Sequence, residues 1–275
     1  MQPIEPRYAD IIDRRVVENC KANGACDPGL RWLCAEPRTY HDLRRHQIFW
    51  MIWLAENTSL PSVLDRIHRD PDSDVRRGVA GNARTPAAVL EKLAADPCWD
   101  VRLYVALNRA TPIKVLSRLA RDTNPEVCLA IAQNPKTPGL LLRFLATSTT
   151  AAVRAAVARN ARTPEKTIEQ LAGDLDVNVR QGAASNPHAP LTVLEKLAAD
   201  PEPLVRMAAA ANSGLPQAVL EALAGDVESM VREAVARNHR LAGTTLKALL
   251  EDATPAVRRA AIAEALARRQ QQLAA

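Results

Sequence analysis

The sequence predicts an all-α solenoid made of a repeated two-helix unit, preceded by a small cysteine-containing domain. Three observations predict it. Asn82, Asn108, Asn134, Asn160, Asn186, Asn212 and Asn238 stand 26 residues apart, as do Val75, Val101, Val127, Val153, Val179, Val205, Val231 and Val257. Leu, Ile and Ala columns keep the same register, among them Leu64, Leu90, Leu116, Leu142, Ile168, Leu194, Leu220 and Leu246. No stretch alternates apolar and polar residues as a half-buried strand would.

Eight units fill residues 57–264, with 1–56 as the N-terminal domain and 265–275 as a tail. Each unit reads as two short helices. In the second, Thr85-Pro86 marks a helix start, with Thr as the cap and Pro at the first helical position. Val89, Leu90, Leu93 and Ala94 then share one face. Asp96-Pro97 ends that helix and begins the next, on which Val101, Val105 and Asn108 are aligned. Asn108 is expected to take a left-handed turn and to bond the chain crossing to the next unit.

Two basic features recur. Arg76, Arg102, Arg154, Arg180, Arg206, Arg232 and Arg258 each follow the column Val, and an Asp column lies six residues earlier, from Asp70 to Asp252. The expected role is a ladder of Arg–Asp or Arg–carbonyl contacts within or between repeats. The loops around the Asn column carry Arg84, Arg109, Arg162 and Arg240, with His188 and His239, and no acidic residue. Cations favour helix C-termini for electrostatic reasons alone. The functional alternative makes these four arginines phosphate contacts of a nucleic-acid track. A net charge of +5 is compatible with either.

The N-terminal domain differs in composition. It contains six of the nine aromatic residues, together with Cys20, Cys26 and Cys34 spaced C-x5-C-x7-C. Three thiols so close together suit zinc or an iron–sulfur cluster. The first residues lack a basic-then-apolar signal pattern, and no apolar run is long enough to cross a bilayer. A cytoplasmic protein without membrane contact is expected, and its five cysteines are then read as metal ligands or inert thiols rather than disulfides.

The repeat D-P-x-x-x-V-R-x-x-V-A-x-N-x-x-T-P-x-x-V-L-x-x-L-A resembles that of the leucine-rich repeat variant family. The segment Cys26-Asp27-Pro28-Gly29-Leu30-Arg31-Trp32, with His41-Asp42-Leu43 and Ile48-Phe49-Trp50-Met51, resembles the iron–sulfur domain that precedes such repeats. The resemblance implies alternating α and 3₁₀ helices in a right-handed superhelix, a [4Fe–4S] cluster held by four cysteines, and a redox or nitrogen-fixation setting. Three ligands would be Cys20, Cys26 and Cys34. For the fourth, Cys98 is favoured over Cys128, His41 and His46, because it sits at a helix start that other repeats fill with polar residues. Trp99 beside it is expected to pack against the N-terminal domain.

No glycine-rich phosphate loop, G-x-S-x-G or H-E-x-x-H motif is present, so an enzyme is not expected. Three function classes follow. The first is an iron–sulfur scaffold that binds a protein partner and senses or passes electrons. The second is a nucleic-acid-binding solenoid with a structural cluster, and the third is a purely structural scaffold.

Overall fold

The computed structural model describes residues 12, 14–26, 39–46 and 48–274, which contain nineteen helices and no strand. The chain divides into two compact units, residues 1–136 and 137–275. The first unit opens with α1 (Arg14–Ala22), α2 (Tyr40–His46) and α3 (Ile48–Asn57). Short and long helices then alternate: α4 (Pro61–Ile67), α5 (Ser73–Gly81), α6 (Ala87–Leu93), α7 (Trp99–Leu107), α8 (Ile113–Leu119) and α9 (Pro125–Gln133). The second unit continues with α10 (Gly139–Leu145), α11 (Ala151–Arg159), α12 (Glu165–Leu171), α13 (Val177–Ala184) and α14 (Leu191–Ala198). It ends with α15 (Pro203–Ala211), α16 (Gln217–Leu223), α17 (Ser229–Ala236), α18 (Gly243–Leu249) and α19 (Pro255–Ala274).

The repeated apolar columns form the core. All eight column valines are fully buried, and the Leu/Ile column from Leu64 to Leu246 is buried throughout. Ala80, Ala106, Ala132, Ala158, Ala184, Ala210 and Ala236 are also fully buried, because successive long helices approach too closely for a larger side chain. Gly182 shows how close. A Cβ there would stand 2.9 Å from the Ala155 carbonyl oxygen and 3.0 Å from the Ala158 Cβ.

Helix starts differ from expectation. Pro, not Thr, is the N-cap of α6, α8, α10, α12, α14 and α16, and its carbonyl accepts the first helical bond, as Leu90 N–H does to Pro86 at 3.1 Å. Thr85 instead donates its hydroxyl to the Val79 carbonyl at 2.5 Å, and Thr111 donates to that of Val105 at 2.6 Å. Each threonine thereby ties a short helix to the long helix before it. Both helices of a repeat are α-helical. Tighter three-residue bonds are confined to their ends, as from Val89 N–H to the Pro86 carbonyl and from Asp96 N–H to that of Leu93.

The Asn column also differs. Asn108 is a helix C-cap in extended, not left-handed, conformation, with φ −68° and ψ 122°. Its amide reaches back rather than forward, donating to the Ala80 and Asn82 carbonyls at 2.7 and 2.9 Å. Its Oδ1 accepts from Ala110 N–H at 2.8 Å. Asn212 repeats this pattern in the second unit, donating to Ala184 and Asn186. These buried amides satisfy carbonyls that the helix ends leave open.

The column arginines form the expected ladder. Within the second unit, Arg180 presents Nε and Nη2 to both carboxylate oxygens of Asp200 at 2.8 and 3.1 Å. Its Nη1 donates to the Asp174 carbonyl at 2.9 Å, so one guanidinium joins its own Asp column to that of the next repeat. Arg76–Asp96, Arg102–Asp122, Arg154–Asp174, Arg206–Asp226 and Arg232–Asp252 are built alike, with Nε–Oδ2 distances of 2.6–2.7 Å. Asp70, at the start of the ladder, is met by Arg44 of α2 at 3.1 Å.

The expected boundary at residue 56 falls inside α3, which packs on α5 as one long helix packs on the next. Asn82 accordingly donates to the Ala55 and Thr58 carbonyls, both at 2.9 Å. From α1, Asn19 braces the turn after α3, accepting from Thr58 Oγ1 and Ser59 N–H at 3.0 Å.

Candidate functional site

The cysteines expected to hold a cluster do not come together among the described residues. Cys20 is buried on α1 beside Val16, and burial pushes its thiol up to about 11, favouring the protonated form over the thiolate a metal needs. Cys26 is exposed. Cys34 lies outside the described residues. Cys98 is half-buried as the N-cap of α7, where its side chain caps no amide and its backbone N–H donates to Asp96 Oδ1 at 2.9 Å. Cys128 stands in the Arg column and takes over one of its contacts, with Sγ 3.5 Å from the Asp122 carbonyl oxygen. His41 is exposed, and the side chain of His46 lies outside the described residues. No three His, Cys, Asp or Glu side chains form a metal-binding group among the described residues. The expected four-thiolate set of Cys20, Cys26, Cys34 and Cys98 includes one donor, Cys34, outside the described residues.

Trp99, expected against the N-terminal domain, is 43% exposed. It belongs to an exposed apolar face of α7. Trp99, Leu103 and Leu107 follow at i, i+4 and i+8, and Tyr104 lies on the flank of the same face. Tyr104 and Leu107 are 37% and 46% exposed, and Leu103 is half-buried. The Tyr104 ring lies against Gly81 of α5, where a Cβ would stand 2.9 Å from it. Arg77 sits 5.8 Å above that ring while pairing with Asp74 at 2.8 Å and Asp100 at 3.2 Å. In the second unit the column of Leu103 holds Ala155, Gln181, Met207 and Glu233. This face was legible as helical spacing. The repeat columns hid it, because they mark what is shared and this face is what departs from them.

The basic loops are placed as expected. Arg84, Arg109 and Arg162 are exposed just beyond the Asn C-caps, and Arg240 is exposed three residues beyond the Arg237 C-cap. Arg240 donates to the Ser213 carbonyl at 2.7 Å. The opposite ends of the long helices carry Asp72, Asp74, Asp100, Glu126, Asp176, Glu202 and Glu228. Each sign thus sits at the helix end whose partial charge it complements. Six of the ladder arginines, Arg76, Arg102, Arg154, Arg180, Arg206 and Arg232, have their bidentate edges filled by aspartates and offer nothing there to a phosphate.

Residues 100–161 match the family model for the Leucine Rich Repeat Variant domain, and residues 177–202 match that for the Leucine rich repeat variant. The chain is similar to a solved structure described as a leucine-rich repeat variant with a novel repetitive protein structural motif. The two are 25% identical with a TM-score of 0.55, over 92% of this chain and 99% of that one. Two engineered proteins are less similar, at 19% identity and TM-score 0.40 over 93% of this chain and 88% of the other, and at 21% and 0.28 over 72% and 92%. No curated protein matches the chain. The repeats form a helical scaffold of the leucine-rich repeat variant type. No helix among the described residues is long and apolar enough to cross a membrane.

Proposed function

We propose that the chain is an interaction scaffold whose repeats hold a protein partner on the long-helix face of the first unit. The observation that carries this reading is the face of Trp99, Leu103, Tyr104 and Leu107, exposed although the repeat has buried columns a few residues away for large apolar side chains. Contiguous exposed aromatic and aliphatic side chains on a rigid helical array suit recognition of another protein. The test compares proteins that copurify with the wild-type chain and with Trp99→Ser/Leu107→Ser. Both side chains are exposed, so the variant keeps the wild-type circular dichroism spectrum and loses its partner. An unchanged set of partners on a folded variant removes this reading.

A redox role is the finer proposal. What supports it is the C-x5-C-x7-C spacing of Cys20, Cys26 and Cys34 and the resemblance of residues 26–51 to an iron–sulfur domain. A [4Fe–4S] group bound there would supply one-electron chemistry beside the scaffold. Anaerobic purification followed by iron, acid-labile sulfide and zinc analysis tests it. Zinc without sulfide contradicts it, and iron with sulfide supports it. The nucleic-acid alternative rests on Arg84, Arg109, Arg162 and Arg240, whose placement at helix C-termini has a sufficient electrostatic cause without any ligand.

A further inference from the structure

We infer that the α7 face takes an acidic amphipathic segment of its partner: apolar side chains seated between Trp99 and Leu107, with carboxylates following them onto Arg84 and Arg109. This rests on the reading that the repeats bind protein on this face, and it adds the partner's chemistry.

The argument is a balance of charge around the apolar surface. At the N-terminal end of the face stand Asp74 and Asp100, which share the single guanidinium of Arg77, itself held over the Tyr104 ring, so that one net negative charge remains there. That end offers an incoming chain no free cation. At the C-terminal end, α7 finishes at Leu107 and α5 at Gly81, and the loops that follow carry Arg109 and Arg84. Both side chains are exposed, and neither guanidinium has a partner among the described residues. The unpaired positive charge bordering this face is therefore confined to its C-terminal end. A segment with apolar residues one helical turn apart would cover Trp99, Leu103 and Leu107. Asp or Glu beyond them would meet two unpaired guanidinium groups, which bind carboxylates bidentately. A segment carrying basic residues at that end would bring like charges together against Arg84 and Arg109. A second copy of this chain fits poorly, because the exposed apolar residues of its terminal helix, Ile262 and Leu266, lie among Arg258, Arg259 and Arg269.

The direct test titrates the full chain with two synthetic amphipathic helical peptides of equal apolar content, one bearing Glu and one bearing Lys at the polar positions. Trp99 emission is the readout, and Trp99→Phe attributes the change to this residue rather than to the N-terminal tryptophans. The expected result is a blue shift and saturable binding with the Glu peptide alone. Leu107→Ser and Arg84→Glu/Arg109→Glu should each weaken binding by about tenfold or more, with unchanged circular dichroism. The charge-reversed variant keeps every apolar contact, so it tests the inference even if Leu107→Ser is poorly folded. Equal or tighter binding of the Lys peptide, or Glu-peptide binding indifferent to the charge reversal, overturns the inference and leaves the scaffold reading standing. No binding of either peptide overturns it too, and so does displacement of the Glu peptide by anionic vesicles or duplex DNA. The scaffold reading is judged separately, by the copurification comparison.

Discussion

Breaking one rung of the Arg–Asp ladder should cost far more than a surface ion pair. Consider Asp200→Ser. In the native protein the Arg180 and Asp200 side chains are only 14% and 7% exposed, and two parallel hydrogen bonds join them. Asp200 Oδ1 also accepts from Glu202 N–H at 2.9 Å, holding the turn into α15. The substitution leaves a nearly buried guanidinium without its carboxylate. Removing one partner of a buried pair typically costs 3–5 kcal/mol, and about 3 kcal/mol is expected here because Arg180 keeps its bond to the Asp174 carbonyl. Arg180→Cys should cost about as much, since it strands the carboxylate. The sequence itself drops both charges at once where the two columns read Cys128 and Ser148. The double variant Arg180→Cys/Asp200→Ser should therefore be less destabilised than the sum of the singles by roughly 2 kcal/mol. The assay is a double-mutant cycle by urea unfolding followed by circular dichroism. Single-variant costs that add to within about 0.5 kcal/mol would show that the rung is not a coupled unit, and the reasoning would fail.

The same aspartates predict acid sensitivity. Arg232 holds Asp252 down to about 2, while at Asp200 burial raises the pKa but is outweighed by Arg180 and the Glu202 amide, so the net shift is again downward. A carboxylate depressed in the folded state stabilises it above the unfolded value near 3.8 and loses that contribution as pH falls through the folded value. Melting temperature should therefore be level above about pH 5 and fall steeply toward pH 2, and a flat profile below pH 4 would contradict the pairing. Asn108→Ala leaves the Ala80 carbonyl without its partner in a buried site, removes one of the two bonds to the Asn82 carbonyl and unpairs the half-buried Ala110 amide, for a loss of about 3 kcal/mol in urea unfolding. Gly182→Ala forces α13 off α11, where the Ala155 carbonyl is 2.9 Å from the new Cβ, and should cost about 1–3 kcal/mol by thermal melting.

What was legible in the sequence follows from what repetition constrains. The Val, Leu and Ala columns recur because each stacking interface is the same problem solved again, and they are buried from Val75 to Val257, Leu64 to Leu246 and Ala80 to Ala236, while position 262 of the last column is an exposed Ile. The Arg and Asp columns were legible as partners, although the i to i+20 connection between repeats needed coordinates. Hydrogen-bond direction was not legible. Asn108 bonds backward in an extended conformation, and Thr85 ties two helices rather than capping one, because either geometry suits the same residue type. The α3 helix was missed as a stacking element because its register departs from the columns, with Asn57 one residue off the 26-residue spacing to Asn82. The α7 face was passed over for a related reason. The proposed partner face lies where a repeat departs from its columns, and the 26-residue period does not mark departures.

The most direct measurement replaces Leu107 with a photo-crosslinking amino acid in the cells that make this protein, with the same replacement at Glu169 on the short helix α12 as the control. Both positions are exposed and tolerate the change. The account predicts a discrete crosslinked protein from position 107 that is absent from position 169 and lost when Trp99→Ser is added. Crosslinks of equal pattern from both positions, or none from position 107 while the chain still copurifies with its partner, would contradict the claim that the long-helix face is where this scaffold works.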